Sequence, residues 1–189
     1  IPPPKEVTLE KPPSVKECLN KLPPYGDPGN NTKCPARITP AKTPVLRRSP
    51  FAGMLFNGQG RPLNINGPAV TLPATMGGNR TPIIDQEALM NNISPWILEY
   101  HQHLWSGGMP AESIPNRLRR ITVEEAAAIQ TFPFGMKFFG SNTAQYRQIG
   151  NAVPPELAYH VANQIYREIS DYGQITVLSG KGSMVQNLG

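Results

Sequence analysis

Covalent catalysis, metal binding and proton transfer each need particular side chains at particular spacings, and few residues here meet those needs. Cys18 stands between Glu17 and Leu19, where a neighbouring carboxylate raises a thiol pKa instead of lowering it. Cys34 has only Lys33 beside it as an activating charge. Two cysteines build neither a four-cysteine zinc site nor a disulfide scaffold. His101 and His103, two apart on a predicted helix, point to different faces and make a poor metal pair, while His160 falls on the polar face of another helix. Glu124 and Glu125 are accounted for by capping and the helix dipole. The residues thus supply no catalytic centre and no metal site. One segment stands apart, Arg147-Gln148-Ile149-Gly150-Asn151-Ala152-Val153-Pro154-Pro155. A flexible glycine, an asparagine and a proline-opened helix would set backbone N–H groups and an amide at a helix mouth, suited to a carboxylate or phosphate. The same residues serve equally well as a loop-to-helix turn that Asn151 caps.

Three helices are predicted to position these residues. Ser94 as N-cap and Pro95 at the first helical position open one, with Trp96, Ile97, Tyr100 and Leu104 on its apolar face and Gly107-Gly108 as its stop. Thr122-Val123-Glu124-Glu125 is a capping box, and that helix runs through Ala126, Ala127 and Ile129 until Pro133. Pro154-Pro155 open the third, whose Leu157, Ala158, Val161, Ala162, Ile165, Tyr166 and Ile169 recur at helical spacing up to Gly173. Short strands are expected over 51–56 and 69–72, and a last strand over 174–178, followed by a disordered tail. Gly58-Gln59-Gly60 lacks the strand-to-helix setting of a phosphate-binding loop, since Pro62 and an Asn-rich stretch follow it.

The chain has 189 residues, 16% of them charged and 39% hydrophobic, enough to bury a core and too few charges for a polyelectrolyte tail. No apolar run reaches the ~18 residues that cross a bilayer, which argues against a membrane protein. The formal excess of +5 lies entirely in the first 50 residues, which also hold 12 of the 22 prolines. A proline-rich basic strap, expected to run extended over a surface, suits a polyanion through counterion release, though an ordinary solvated linker has the same composition. The sequence opens Ile1-Pro2-Pro3-Pro4, neither a start methionine nor a signal peptide, and is expected to be a piece of something longer.

Two segments together resemble the DNA (cytosine-5)-methyltransferases. Arg119-Arg120-Ile121-Thr122-Val123-Glu124-Glu125, running on to Gln130-Thr131-Phe132-Pro133, is similar to their ninth conserved motif. Gln145 through Pro155, centred on Gly150-Asn151-Ala152-Val153-Pro154, is similar to their tenth. The pair in this order, followed by an amphipathic helix, is far more specific than either alone. The resemblance implies an α+β fragment: a small loop-rich β target-recognition lobe, plus helices that complete a Rossmann-like α/β S-adenosylmethionine-dependent methyltransferase domain. It divides the chain into a connector (1–34), a target-recognition domain (35–113), the C-terminal part of the catalytic domain (114–173), and a last strand with tail (174–189).

By the same resemblance, Asn151 holds the amino-acid end of S-adenosylmethionine, with Ala152 and Val153 lining the cofactor. Thr71-Leu72 matches a Thr-Leu pair that reads DNA near the target base, and Gly77, Gly78 and Asn79 extend the recognition loop. Lys42, Arg47, Arg48 and Arg80 are candidates for phosphate or base contacts on double-stranded DNA. Arg119, Thr122 and Gln130 organise the junction between the lobes. In the family a cytosine is flipped out, a thiolate attacks C6, and C5 takes the methyl group. The Pro-Cys-Gln cysteine, the Glu-Asn-Val motif and the cofactor-binding glycine loop are not in this sequence. The missing N-terminal catalytic part is therefore an expected partner, in the same polypeptide or as a separate subunit, and this chain by itself is expected to be inactive. The setting implied is cytoplasmic in a bacterium or nuclear in a eukaryote. The rival reading is a DNA-recognition subunit or regulatory homologue without transfer activity.

Overall fold

The computed structural model describes residues 12–181, with side chains described through residue 170. They form two compact units, one up to Ala152 and one from Val153 onward.

The first unit is built on short elements. Helix α1 (Val15–Leu19) is opened by a capping box in which the Ser14 hydroxyl accepts from Glu17 N–H while the Glu17 carboxylate accepts from Ser14 N–H. It buries Val15 and Leu19, so the proline-rich connector is not extended throughout; two apolar residues at i and i+4 suffice to dock one helical turn. Strands β1 (Pro40–Val45) and β2 (Met54–Phe56) pair antiparallel, and a 3-10 turn follows over Asn57–Gln59. The strand expected over 51–56 is thus confined to its last three residues. Strands β3 (Ile83–Asp85) and β4 (Leu118–Arg120) form a second antiparallel pair, Ile83 opposite Arg120 and Asp85 opposite Leu118. Residues 69–72 join no ladder; Leu72 is buried there from a loop, which satisfies its apolar side chain without a strand.

Asp85 ties the second sheet to two helices. Its Oδ1 accepts from Ala88 N–H at 3.0 Å to cap α2 (Gln86–Asn91), and its Oδ2 accepts from Trp96 N–H at 2.9 Å. Arg117 Nε donates to the same carboxylate at 2.7 Å. Helix α3 (Trp96–Trp105) starts one residue later than expected, with Pro95 at the N-cap position. Helix α4 (Val123–Ile129) carries the predicted capping box.

Helix α5 (Asn142–Asn151) was not expected from the sequence. Ser141 caps it, and it buries Tyr146 and Ile149. Tyr146 is fully enclosed, and its hydroxyl donates to Ile121 O at 2.6 Å. Burial holds that phenol well above its usual pKa, so it remains a neutral donor. One core joins α1, α4, α5 and the loop side chains Leu63, Ile65, Leu72 and Met76. A second joins Leu55, Phe56 and Ile83 to Ile97, Tyr100 and Leu104 of α3. The fold is therefore a small α+β assembly with short antiparallel sheets.

The second unit contains α6 (Pro155–Lys181). It continues through Gly173 and through 174–178, so the expected helix stop and last strand are both replaced by helix. One glycine costs a helix only about 1 kcal/mol, less than the cooperative gain of continuing. Of the tail expected to be disordered, 179–181 are helical and the remainder lies outside the described residues. Leu157, Tyr159, Val161, Ile165, Tyr166 and Ile169 of α6 are exposed.

Candidate functional site

Arg119, Thr122 and Gln130 are fixed by dense polar bonding. Arg119 grips Glu125 with both terminal nitrogens, Nη1 to Oε2 at 2.7 Å and Nη2 to Oε1 at 2.6 Å, while Nε donates to Gln86 Oε1 at 2.7 Å. Its guanidinium carbon lies 3.8 Å from the centre of the Tyr25 ring. Glu125 also accepts from Thr122 N–H at 2.9 Å, so one buried carboxylate serves the fork and the capping box together. Thr122 Oγ1 accepts from Glu125 N–H at 3.0 Å and donates to Asn30 Oδ1 at 2.6 Å. Gln130, at the end of α4, donates through Nε2 to Ala152 O at 3.1 Å and to Ile149 O at 3.4 Å. It thereby satisfies the Ala152 carbonyl just past α5 and adds a second donor to Ile149 O, which already accepts from Ala152 N–H at 3.2 Å.

Arg120, which the sequence reading left unassigned, is only 4% exposed. Its nitrogens donate to five oxygens: Ala36 O at 3.0 Å, Asn79 O at 3.0 Å, Thr81 O at 2.6 Å, Arg37 O at 3.3 Å and Asn57 Oδ1 at 3.2 Å. Burial pushes its pKa below the usual value. A guanidinium keeps its proton despite such a shift, and five acceptors replace its lost hydration. No signal in the sequence separates Arg120 from Arg119, except that neighbours on a strand point to opposite faces.

Gly150 and Asn151 form the last turn of α5 rather than a flexible loop at the mouth of the next helix. Gly150 is there for contact: a Cβ on it would lie 2.7 Å from Pro73 O and 2.8 Å from Ala74 Cα. Gly77, at φ +100°, meets the same helix, where a Cβ would fall 2.7 Å from Thr143 Cα. The 73–77 segment is thus laid backbone to backbone along α5. Asn151 is exposed and its amide has no hydrogen-bond partner among the described residues; Ala152 is half-buried. Val153, where the second unit begins, is 63% exposed.

The loop residues divide by orientation. Leu72 and Gly77 are buried, and Met76 between them is enclosed. Thr71, Asn79 and Arg80 are exposed, and Gly78 is half-buried with open space where a Cβ would stand. Arg80 Nη1 donates to Thr75 Oγ1 at 3.3 Å. Lys42 on β1 and Arg47 and Arg48 just after it are exposed. His101 Nε2 lies 2.8 Å from Arg47 O; a carbonyl only accepts, so this nitrogen carries the proton and ties the basic segment to α3. His103 Nε2 instead meets Met109 O at 3.0 Å, so the two histidines serve different loops. Burial raises the Cys18 thiol pKa, which makes it a poorer nucleophile. Among the described residues no cluster of His, Cys, Asp and Glu could hold a metal ion. No helix there is long and apolar enough to cross a membrane.

Comparison with known proteins gives this arrangement a family. The chain is 51% identical over 49 residues to the type II methyltransferase M.AplI of Arthrospira platensis, covering 26% of this chain and 14% of that protein. It is 50% identical over 50 residues to M.NgoMIV of Neisseria gonorrhoeae, covering 26% and 16%. It is 46% identical over 55 residues to DNA (cytosine-5)-methyltransferase 1A of rice, Oryza sativa subsp. japonica, covering 29% and 4%. The matched stretch is thus a small share of each of these relatives. No solved structure matches the chain. The model of the C-5 cytosine-specific DNA methylases matches residues 68–167, just over half of the sequence, and with it the chain belongs to that family.

Proposed function

We propose that this chain forms the C-terminal portion of a DNA (cytosine-5)-methyltransferase, bearing sequence-specific recognition of double-stranded DNA and one edge of the S-adenosylmethionine site. The observation that carries the reading is the backbone contact between α5 and the 73–77 segment, at Gly150 and at Gly77. One helix end carries Asn151, and the loop laid on that helix carries Thr71 at one end and Asn79 and Arg80 at the other. A rigid link of this kind suits an enzyme that must hold a methyl donor and a flipped base in register.

The residues present fit one edge of the cofactor. An exposed amide with unused hydrogen-bonding capacity suits its charged amino-acid end, and Ala152 and Val153 offer small apolar surface beside it. When bound, S-adenosylmethionine supplies the methyl group; the residues of this chain only bind and orient. The catalytic cysteine would come from the remainder of the enzyme, whose sheet would also cover the exposed apolar residues of α6. Lys42, Arg47, Arg48 and Arg80 would neutralise phosphates. Thr71, Asn79 and half-open Gly78 would approach base edges, with Leu72 and Gly77 as the buried anchors of that loop. Arg119, Thr122 and Gln130 would keep the two parts in register.

The test uses the assembled enzyme. Asn151→Ala is expected to weaken S-adenosylmethionine binding about tenfold or more, because a hydrogen bond to a charged group is worth ~1.5–3 kcal/mol. Calorimetric titration giving an unchanged dissociation constant, or assembled enzyme that leaves cytosines in duplex DNA unlabelled by radioactive cofactor, overturns the reading.

A further inference from the structure

Both glycines of the Gly58-Gln59-Gly60 turn stand where a side chain could not. A Cβ on Gly58, at φ +69°, would lie 2.0 Å from Asn79 Cβ. A Cβ on Gly60 would lie 2.4 Å from Arg120 Nη1 and 2.7 Å from the carbonyl oxygens of Asn79 and Thr81. The turn is shaped around Arg120 and Asn79, two residues 41 apart in sequence that meet through the Asn79 carbonyl.

Hydrogen bonding then fixes which way the side-chain amides point. Asn57 receives two donors on one side, Thr39 N–H at 3.1 Å and Arg120 Nη2 at 3.2 Å, so Oδ1 must lie there. Its Nδ2 is thereby turned to donate to Arg37 O at 2.9 Å and to Asn79 Oδ1 at 3.3 Å. With Oδ1 of Asn79 engaged as an acceptor, the group left to the outside is its Nδ2. Asn79 is exposed, and that nitrogen has no partner among the described residues.

We infer that Arg120, acting through Asn57, holds the Asn79 carboxamide with its N–H donors outward, as a contact for an acceptor on the duplex. Arg120 is a positioning residue here and Asn79 the contact. The acceptor is a phosphate oxygen or an acceptor edge of a base; both take an N–H and refuse a carboxylate. The inference rests on the proposed reading that this loop faces DNA.

In the assembled methyltransferase, Asn79→Asp keeps size and shape but offers only acceptors at neutral pH. It should raise the dissociation constant for unmethylated plasmid DNA by roughly tenfold or more, the scale of one lost and reversed hydrogen bond, while the S-adenosylmethionine affinity stays at the wild-type value. Arg120→Lys keeps the charge but cannot span five acceptors, and should raise the KM for DNA more than it lowers kcat. Gly58→Ala, forced against Asn79, should act in the same direction. Duplexes changed one base pair at a time within the methylated site identify the acceptor. A loss confined to one pair marks a base edge, and a uniform loss with a shallower salt dependence marks a phosphate; both support the inference. Asn79→Asp enzyme that binds DNA as tightly as a wild-type enzyme shown to methylate it overturns the inference alone. Wild-type enzyme that does not bind duplex DNA overturns the proposed function with it.

Discussion

The 118–152 region and the 36–81 region solve the same problem, holding polar backbone in place, by opposite means. The first is organised locally. Its helices cap themselves, Thr122 with Glu125 and Ser141 with Ala144 N–H, and Arg119 closes onto Glu125 six residues away. The second has little regular structure and is organised from outside. Its carbonyls at Ala36, Arg37, Asn79 and Thr81 converge on one arginine of the first region. A loop held mostly through its backbone carbonyls commits few of its own side chains, Asn57 chief among them, which leaves others free to face a ligand. On the proposed function, the difference would divide recognition surface and scaffold between the regions, with Arg120 as the point where one sets the other.

Three changes would break or sharpen that division. The largest effect is expected where the regions touch through backbone. Gly150→Ala brings a methyl group within 2.8 Å of Pro73 O and Ala74 Cα, atoms that cannot rotate away, and should cost about 1–3 kcal/mol in denaturant unfolding. An unchanged midpoint would show that the 73–77 segment is not seated on α5. Next, Thr122→Ala removes a cap and strands Asn30 Oδ1 in a buried site, for a loss of about 1–2 kcal/mol. Its effect should stay within the scaffold, so DNA affinity per folded molecule should hold; a specific loss of DNA binding would erase the distinction between the regions. Smallest in stability is Arg47→Ala with Arg48→Ala, both exposed, expected within about 0.5 kcal/mol of wild type. That pair should instead flatten the dependence of DNA affinity on salt by roughly one to two counterions, and a slope equal to wild type would remove both residues from the phosphate contacts.

Most of the helices were far more legible in the sequence than the 36–81 region, for a physical reason. Caps and helical spacing are short-range, so the Thr122 box, the face of α3 from Ile97 to Leu104 and the start of α6 could be read from neighbours alone. Helix α5 escaped because only Tyr146 and Ile149 face its core, too few to mark a period, and Gly150 suggested flexibility where the structure uses it for contact. The strand expected over 174–178 failed for want of any pairing partner that local sequence could reveal. In the 36–81 region the decisive bonds span 18 to 84 positions, and nothing in a window of neighbours announces them. The candidate residues were therefore found by type and resemblance, while the orientation of Leu72 and Gly77 inward, and of Asn79 outward, waited for the fold.

Arg120 carries a further consequence. Its five acceptors are all neutral, and no carboxylate bridges it among the described residues, so a full positive charge sits sealed beneath the loops without a counter-charge. Mobile ions cannot crowd around a cation enclosed by protein, and the surrounding low-polarity medium dampens its field less than water would. On the proposed reading, the outer face above it would keep part of its pull on the duplex at ionic strengths where surface lysines and arginines have lost much of their reach.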